Sequence, residues 1–280
     1  MTRSLIDAVE NAEALDAIGK AAGKQVRSAI KQPVKDALAG TWLGHALHPM
    51  LTDVVIGTFL STTLLDVVGG DEDGKAGAKL IGIGMAAYLP TALSGVNDWA
   101  DTEPVDDGIR RAGLVHAWSN ATALALYALS RKARRGGNRG RSRVLSLAGA
   151  SALGAAGYLG GHLTFAKGVG PDQTVFDPGP DEWTDAGEVP DGRSTRVVVD
   201  DTPVLLVRAD GSLYALHDRC SHRGCSLADG QLDGLELVCA CHGSRFDLRD
   251  GSVKQGPATA PQPAFETRER EGRIEIRRTG

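Results

Sequence analysis

Hydrophobic positions follow two different periods along this 280-residue chain. Up to about residue 166 they recur at helical spacing or in long runs; beyond residue 182 they alternate with polar positions. Over residues 1–40, Leu5, Val9, Ala12, Leu15, Ala22, Val26, Ile30, Val34 and Leu38 fall near the 3.6-residue repeat, with charges between them. This predicts an amphipathic helix, interrupted at Pro33, that packs on a neighbour or lies on a membrane surface. Four apolar stretches follow, at 50–68, 80–96, 113–129 and 144–165. Each approaches the ~20 residues that cross a bilayer. They are rich in Gly, Ala, Ser and Thr, the small residues that let membrane helices approach closely. The expectation for 41–166 is therefore a four-helix transmembrane bundle. Asp53 and Asp66 in the first stretch weigh toward the alternative, a soluble bundle.

Residues 167–182 contain Gly168, Gly170, Pro171, Pro178, Gly179 and Pro180, a linker by composition. After it the short runs 196–199, 204–208, 213–216, 235–238, 246–248 and 273–277 read as strands, with a hairpin turn at Asp210-Gly211. The expected architecture is multi-domain, α then β: helical bundle, linker, and a small all-β domain over 183–280.

Charge adds a direction. The 130–143 link carries Arg131, Lys132, Arg134, Arg135, Arg139, Arg141 and Arg143 and no acid. The 97–112 link carries Asp98, Asp101, Glu103, Asp106 and Asp107 against Arg110 and Arg111. The positive-inside rule places the basic link in the cytoplasm and the acidic one outside. Trp42 and Trp99 then fall at the outer interface, where indoles are favoured. Four spans put the β domain on the extracytoplasmic face of a multi-pass cell-membrane protein. The first fifteen residues lack the pattern of a cleaved signal peptide. A net charge of −4 offers no electrostatic case for nucleic acid.

All four cysteines lie between 220 and 241, interleaved with two histidines. Cys220-Ser-His222 is followed, sixteen residues on, by Cys239-Ala-Cys241-His242. Two loops thus each offer a thiolate and an imidazole. Two Cys on one iron and two His on the other complete a two-iron, two-sulfide cluster. Neutral imidazoles remove negative charge and raise its potential, to roughly −150 to +300 mV across such centres. Structural zinc can use the same ligand types, and Cys241 could replace Cys239 as the second thiolate.

With those residues in view, 183–280 resembles a Rieske [2Fe-2S] domain. The resemblance is carried by Cys220-Ser-His222-Arg-Gly-Cys225, by Cys239-Ala-Cys241-His242-Gly-Ser244-Arg-Phe246-Asp247, and by Gly256-Pro257-Ala258. It implies antiparallel sheets, with the cluster held by Cys220, His222, Cys239 and His242 and covered by a third loop at Pro257. It implies a disulfide between Cys225 and Cys241, as in the cytochrome bc type, which an extracytoplasmic location would permit. Ser244 matches a residue that hydrogen-bonds a cluster sulfur. Phe246 stands where high-potential members carry Tyr, so a lower potential is expected. The outward nitrogens of the ligand histidines imply a potential that falls with alkaline pH.

In the first half, His45, His48, His116 and His162 are expected at one end of the bundle, near Asp53 and Asp98. Intramembrane His and Asp are costly unless paired or used. They could hold haem b, act as proton acceptors for a quinone site, or form a polar network that fixes the bundle. Residues 41–165 also resemble a family of four-helix membrane domains without an assigned activity, through Gly40-Thr-Trp42-Leu-Gly44-His45-Ala-Leu-His48-Pro49, Asp53, Gly57 and Asp98. The expected function is membrane-anchored one-electron transfer from a quinol pool, haem or redox protein to an extracytoplasmic acceptor. The alternative is a cytoplasmic electron-donor component or an oxygenase-related enzyme. An oxygenase needs a further iron held by two His and a carboxylate, yet only 38 residues follow His242 and none is His.

Overall fold

The computed structural model describes residues 2–70, 74–188 and 194–279. It divides into two compact units: Met1–Lys31 with Leu47–Val169, and Gln32–Ala46 with Gly170–Gly280. Residues 32–46, which the sequence pattern places at the junction of N-terminal helix and bundle, fold with the second unit.

The 1–40 stretch is not one helix. It comprises α1 (Thr2–Glu10), α2 (Asp16–Ala29) and α3 (Val34–Ala39), broken around Asn11-Ala12 and again at 30–33. Four long helices follow: α4 (Leu47–Val68), α5 (Gly74–Thr102), α6 (Asp107–Arg135) and α7 (Arg139–Gly161). Asp106 caps α6, its carboxylate accepting from the Ile109 N–H at 3.0 Å. Small residues set the helix spacing. A Cβ on Gly84 would lie 2.4 Å from the Phe59 ring, and one on Gly149 would lie 2.9 Å from Tyr127. Phe59 and Tyr127 stack at 4.3 Å, within a core of Val55, Ile81, Ala123 and Leu153.

Apolar side chains also face outward. Leu64, Val67 and Leu89 are each more than 60 % exposed, an arrangement water disfavours and lipid does not. Among the described residues, three helical segments are long and apolar enough to cross a membrane: Leu47–Val68, Gly74–Thr102 and Arg139–Ala166. The expected fourth span needs correction. Helix α6 is long enough, but His116, Asn120 and its terminal charges keep it below that apolarity. Some of its polar residues are buried in the bundle. Arg134 pairs with Asp66, both nearly inaccessible, and Ser130 bonds Ser146 at 2.8 Å. Near the other end, Glu103 accepts from Arg27 at 2.7 Å and from Arg110 at 2.8 Å, while Arg111 binds Asp16. Gly19 and Gly23 of α2 leave room for the Arg110 and Glu103 side chains.

Among the described residues, the second unit carries ten strands in two antiparallel sheets. The larger has the order β1 (Thr184–Gly187), β10 (Arg273–Arg278), β9 (Ala264–Arg270), β4 (Ser212–His217), β3 (Thr202–Ala209) and β2 (Ser194–Val199). The smaller runs β5 (Gln231–Asp233), β6 (Glu236–Val238), β7 (Arg245–Asp247) and β8 (Val253–Gln255). The β3–β4 hairpin pairs Ala209 with Ser212 across Asp210-Gly211, both at positive φ, as the sequence predicts. One core contains Leu205, Leu216, Leu227, Leu237, Phe246 and Leu248, together with Cys220 and Cys239. The cysteines therefore sit on a packed floor, and three loops, 218–230, 239–244 and 256–263, meet around them.

Candidate metal centre

The two cysteine loops share one backbone device. The Cys220 N–H donates to the Cys225 carbonyl at 2.8 Å, and the Gly224 N–H donates back to the Cys220 carbonyl. In the second loop the Cys239 N–H donates to the Ser244 carbonyl at 2.8 Å, and the Gly243 N–H donates to Cys239. Gly224 and Gly243 lie at φ of 73° and 76°, a conformation that glycine adopts without a Cβ clash. The repeat Cys-x-x-x-Gly thus builds two matching turns with their amides turned inward.

Those turns bring the sequence-predicted residues together. Cys225 and Cys241 form a disulfide. That removes Cys241 as a competing ligand and leaves Cys220 and Cys239 as the free pair, both buried. Their sulfurs hydrogen-bond each other. Sharing one proton pushes the Cys220 thiol up and draws Cys239 down to about 6, where the N–H groups of Cys241 and His242 also favour thiolate. The N–H groups of His222 and Arg223 turn toward Cys220 in the same way. The His222 and His242 rings lie 4.9 Å apart, edge to face. Burial, reinforced by the charges of His242, Arg223 and Lys35, lowers the His222 pKa to about 3 and keeps it neutral. Its Nδ1 is buried without a hydrogen-bond partner among the described residues. A buried imidazole nitrogen with a free lone pair, beside two buried thiols, fits a metal rather than a folding role.

Ser244 is fully buried, and its Oγ accepts from the Ala258 N–H at 3.0 Å. Phe246 is equally buried and brings no donor. Pro257 stands in the third loop between Gly256 and Ala258.

Comparison with known proteins agrees with this donor set. The Rieske [2Fe-2S] domain family matches residues 182–266. The ferredoxin component of the naphthalene 1,2-dioxygenase system of Pseudomonas aeruginosa is 33% identical over 82 residues, 28% of this chain and 79% of that protein. Sulredoxin from Sulfurisphaera tokodaii is 33% identical over 92 residues, 30% of this chain and 84% of the relative. The chain belongs to the Rieske [2Fe-2S] family. Among solved structures, the ferredoxin of carbazole 1,9a-dioxygenase from Nocardioides aromaticivorans IC177 is 27% identical, covering 35% of this chain and all of that one, with a TM-score of 0.33. Residues 44–173 match a second family, described as predicted membrane protein (DUF2231). A Rieske [2Fe-2S] domain, whose chemistry is electron transfer, is thus joined to a helical region that matches a family of predicted membrane proteins.

Sequence reasoning missed the residues that brace the Rieske loops. Gln262, 1% exposed, donates through Nε2 to the His217 and Arg219 carbonyls and accepts the Ser221 N–H. Asp218, equally buried, accepts from the Ala228 N–H and the Ser226 hydroxyl. Gln262 lies between Pro261 and Pro263, which fix an extended backbone, and that spacing was the available signal. Asp218 gave none.

The four histidines of the first half are divided between the two units. His45 belongs to the second unit, and its Nδ1 lies 3.0 Å from the adjacent Ala46 carbonyl. His162 lies 2.7 Å from Glu10. Only His48 and His116 approach, with ring centroids 6.5 Å apart. Each has Nδ1 on a helix carbonyl, Thr91 at 2.9 Å and Ala156 at 2.8 Å, and Asn120 Nδ2 lies 3.1 Å from His116 Nε2. Gly95 and Gly160 leave the space these rings occupy.

Proposed function

We propose that this chain is a membrane-anchored Rieske protein that passes single electrons between a membrane donor and an extracytoplasmic acceptor. Cys220 and Cys239 are the thiolate ligands, and His222 and His242 the imidazole ligands, of the [2Fe-2S] group. The observation that carries this assignment is two buried free thiols and two imidazoles 4.9 Å apart on the same pair of loops, with His222 Nδ1 lacking a hydrogen-bond partner among the described residues. The bound group supplies a one-electron couple at a potential raised by its imidazoles. The chain's residues do the rest. The amides of 222, 223, 241 and 242 turn toward the sulfurs, and the 225–241 disulfide ties the two loops. Ser244 keeps its hydroxyl proton to donate to a cluster sulfur.

In this reading α6 crosses the membrane as a fourth, less apolar member of the bundle. It packs against α5 and α7, and its inward Tyr127, Ser130 and Arg134 are all bonded within the unit. Four crossings and the basic 130–143 link then put the Rieske domain outside, where its disulfide is stable. His48 and His116 are the residues through which the helical half would take part, by holding haem b or by accepting a quinol proton. The dioxygenase ferredoxins among the relatives favour a second reading, an electron donor to a cytoplasmic oxygenase.

Optical and EPR spectra of the detergent-purified full chain, oxidised and dithionite-reduced, test the assignment. A Rieske-type EPR signal is expected on reduction, and its loss in Cys239→Ser or His242→Ala. Zinc in place of iron would refute it. A Soret band lost in His48→Ala and His116→Ala would assign haem to the helical half. Protease digestion of the β domain in intact spheroplasts, but not in inverted vesicles, is the extracytoplasmic result; the reverse pattern supports the cytoplasmic donor.

A further inference from the structure

Residues Gln32–Ala46 fold with the Rieske domain although they lie far from it in sequence. Helix α3 ends at Gly40, at φ 91°, and a short turn over Thr41–Leu43 follows. This strap is fastened to the Pro257 loop. Asp36 Oδ1 accepts the Gly256 N–H at 2.9 Å across 220 residues of chain, and also accepts from Gln32 Nε2 at 2.9 Å. The Thr41 hydroxyl donates to the Ala258 carbonyl at 3.5 Å. Gly256 permits the approach, since a Cβ there would lie 2.7 Å from Asp36 Oδ1 and 2.9 Å from Thr41 Oγ1. The same loop reaches the cluster site from its other side, where the Ala258 N–H donates to Ser244 Oγ. Lys35 immediately precedes Asp36 on this strap and is half-buried. The strap lies outside the 182–266 region shared with the Rieske family.

We infer that Gln32–Ala46 backs the Pro257 loop of the cluster site and that its two charges tune the cluster's potential in opposite directions. Lys35 stabilises the reduced, more negative state. Asp36 opposes it while pinning the Pro257 loop. Both are positioning residues that act through the ligand loops, and the inference rests on the Rieske assignment above.

The test is an EPR-monitored potentiometric titration of the full chain in detergent. Lys35→Gln is expected to shift the balance at fixed ambient potential two- to fivefold toward the oxidised cluster, a fall of about 20–40 mV at 59 mV per decade. Asp36→Asn keeps an acceptor for Gly256 and removes the charge, so a similar rise is expected. Arg270→Gln, at the end of β9 farthest from the Pro257 loop, is the control and leaves the potential unchanged. Two potentials no different from that control would overturn the inference while the EPR signal still upheld the Rieske assignment. Shifts of the same sign in both variants would overturn it too, because they would report loosening rather than charge. A wild-type chain with no Rieske signal would fail the assignment itself.

Discussion

Ser244→Ala isolates one hydrogen bond at the cluster. The side chain is fully buried, and its oxygen already accepts the Ala258 N–H. Its own proton is therefore available to a cluster sulfur, which is more negative when reduced. A hydrogen bond to a charged acceptor contributes about 1.5–3 kcal/mol in total. Both oxidation states accept it, so roughly half, about 0.75–1.5 kcal/mol, separates them. At 1.4 kcal/mol and 59 mV per tenfold change, the potential should fall by about 30–65 mV. Ser244→Thr keeps the hydroxyl and should hold the wild-type potential. Ser244→Ala also orphans the Ala258 amide, costing about 1–3 kcal/mol of stability. Thermal unfolding therefore provides a second readout, separable from the potential. Redox titration of the three proteins by EPR decides the matter. A full Rieske signal with unchanged potential in Ser244→Ala would refute a donor role, whatever the stability loss.

Replacing Cys225 and Cys241 together by Ser opens a closed loop of 16 residues, and chain entropy predicts a loss of about 3 kcal/mol. Denaturant titration of the β domain's unfolding, with faster bleaching of the visible cluster bands, measures it. In the bundle, Asp66→Ala leaves Arg134 buried without its carboxylate, and about 3–5 kcal/mol should be lost in an SDS-unfolding assay. Asp66→Asn should cost less, since an acceptor remains. The Asp247 carboxyl is held well below the usual range, first by the Arg249 guanidinium and then by the Arg249 amide and Lys254. Its folded pKa lies below the unfolded value of about 3.9, so its stabilisation is whole above that pH and fades as pH falls toward the folded value. Asp247→Asn should lower the midpoint of thermal unfolding at pH 6 and flatten its decline below about pH 4. Parallel curves for the two proteins would refute that linkage.

Much of the cluster site was legible because its parts are local. Cys220 with His222, and Cys239 with His242, sit within single turns, and a glycine four residues after each cysteine closes the turn through its own backbone. The period-two runs and the Asp210-Gly211 signal located β3 and β4 for the same reason. The long helices were legible from apolar length, which counts composition along one segment. Length alone put a span at 113–129, where His116 and Asn120 leave α6 less apolar than its neighbours. Arg134 and Tyr127 look unfavourable in sequence and are satisfied by Asp66 and Thr63 from α4.

In the proposed assignment, the chain by itself determined where electrons can reside. Thiolates and imidazoles at that spacing, on glycine turns, have few other uses, and this chemistry depends only on residues adjacent in sequence. Tertiary structure alone decided which histidines meet in the bundle, where His48 and His116 approach and His45 and His162 do not. It also decided that α3 joins the Rieske unit. The Asp36 to Gly256 bond spans 220 residues and rests on one carboxylate meeting one amide. Periodicity, spacing and composition carry no trace of a contact made once, between segments that only folding brings together.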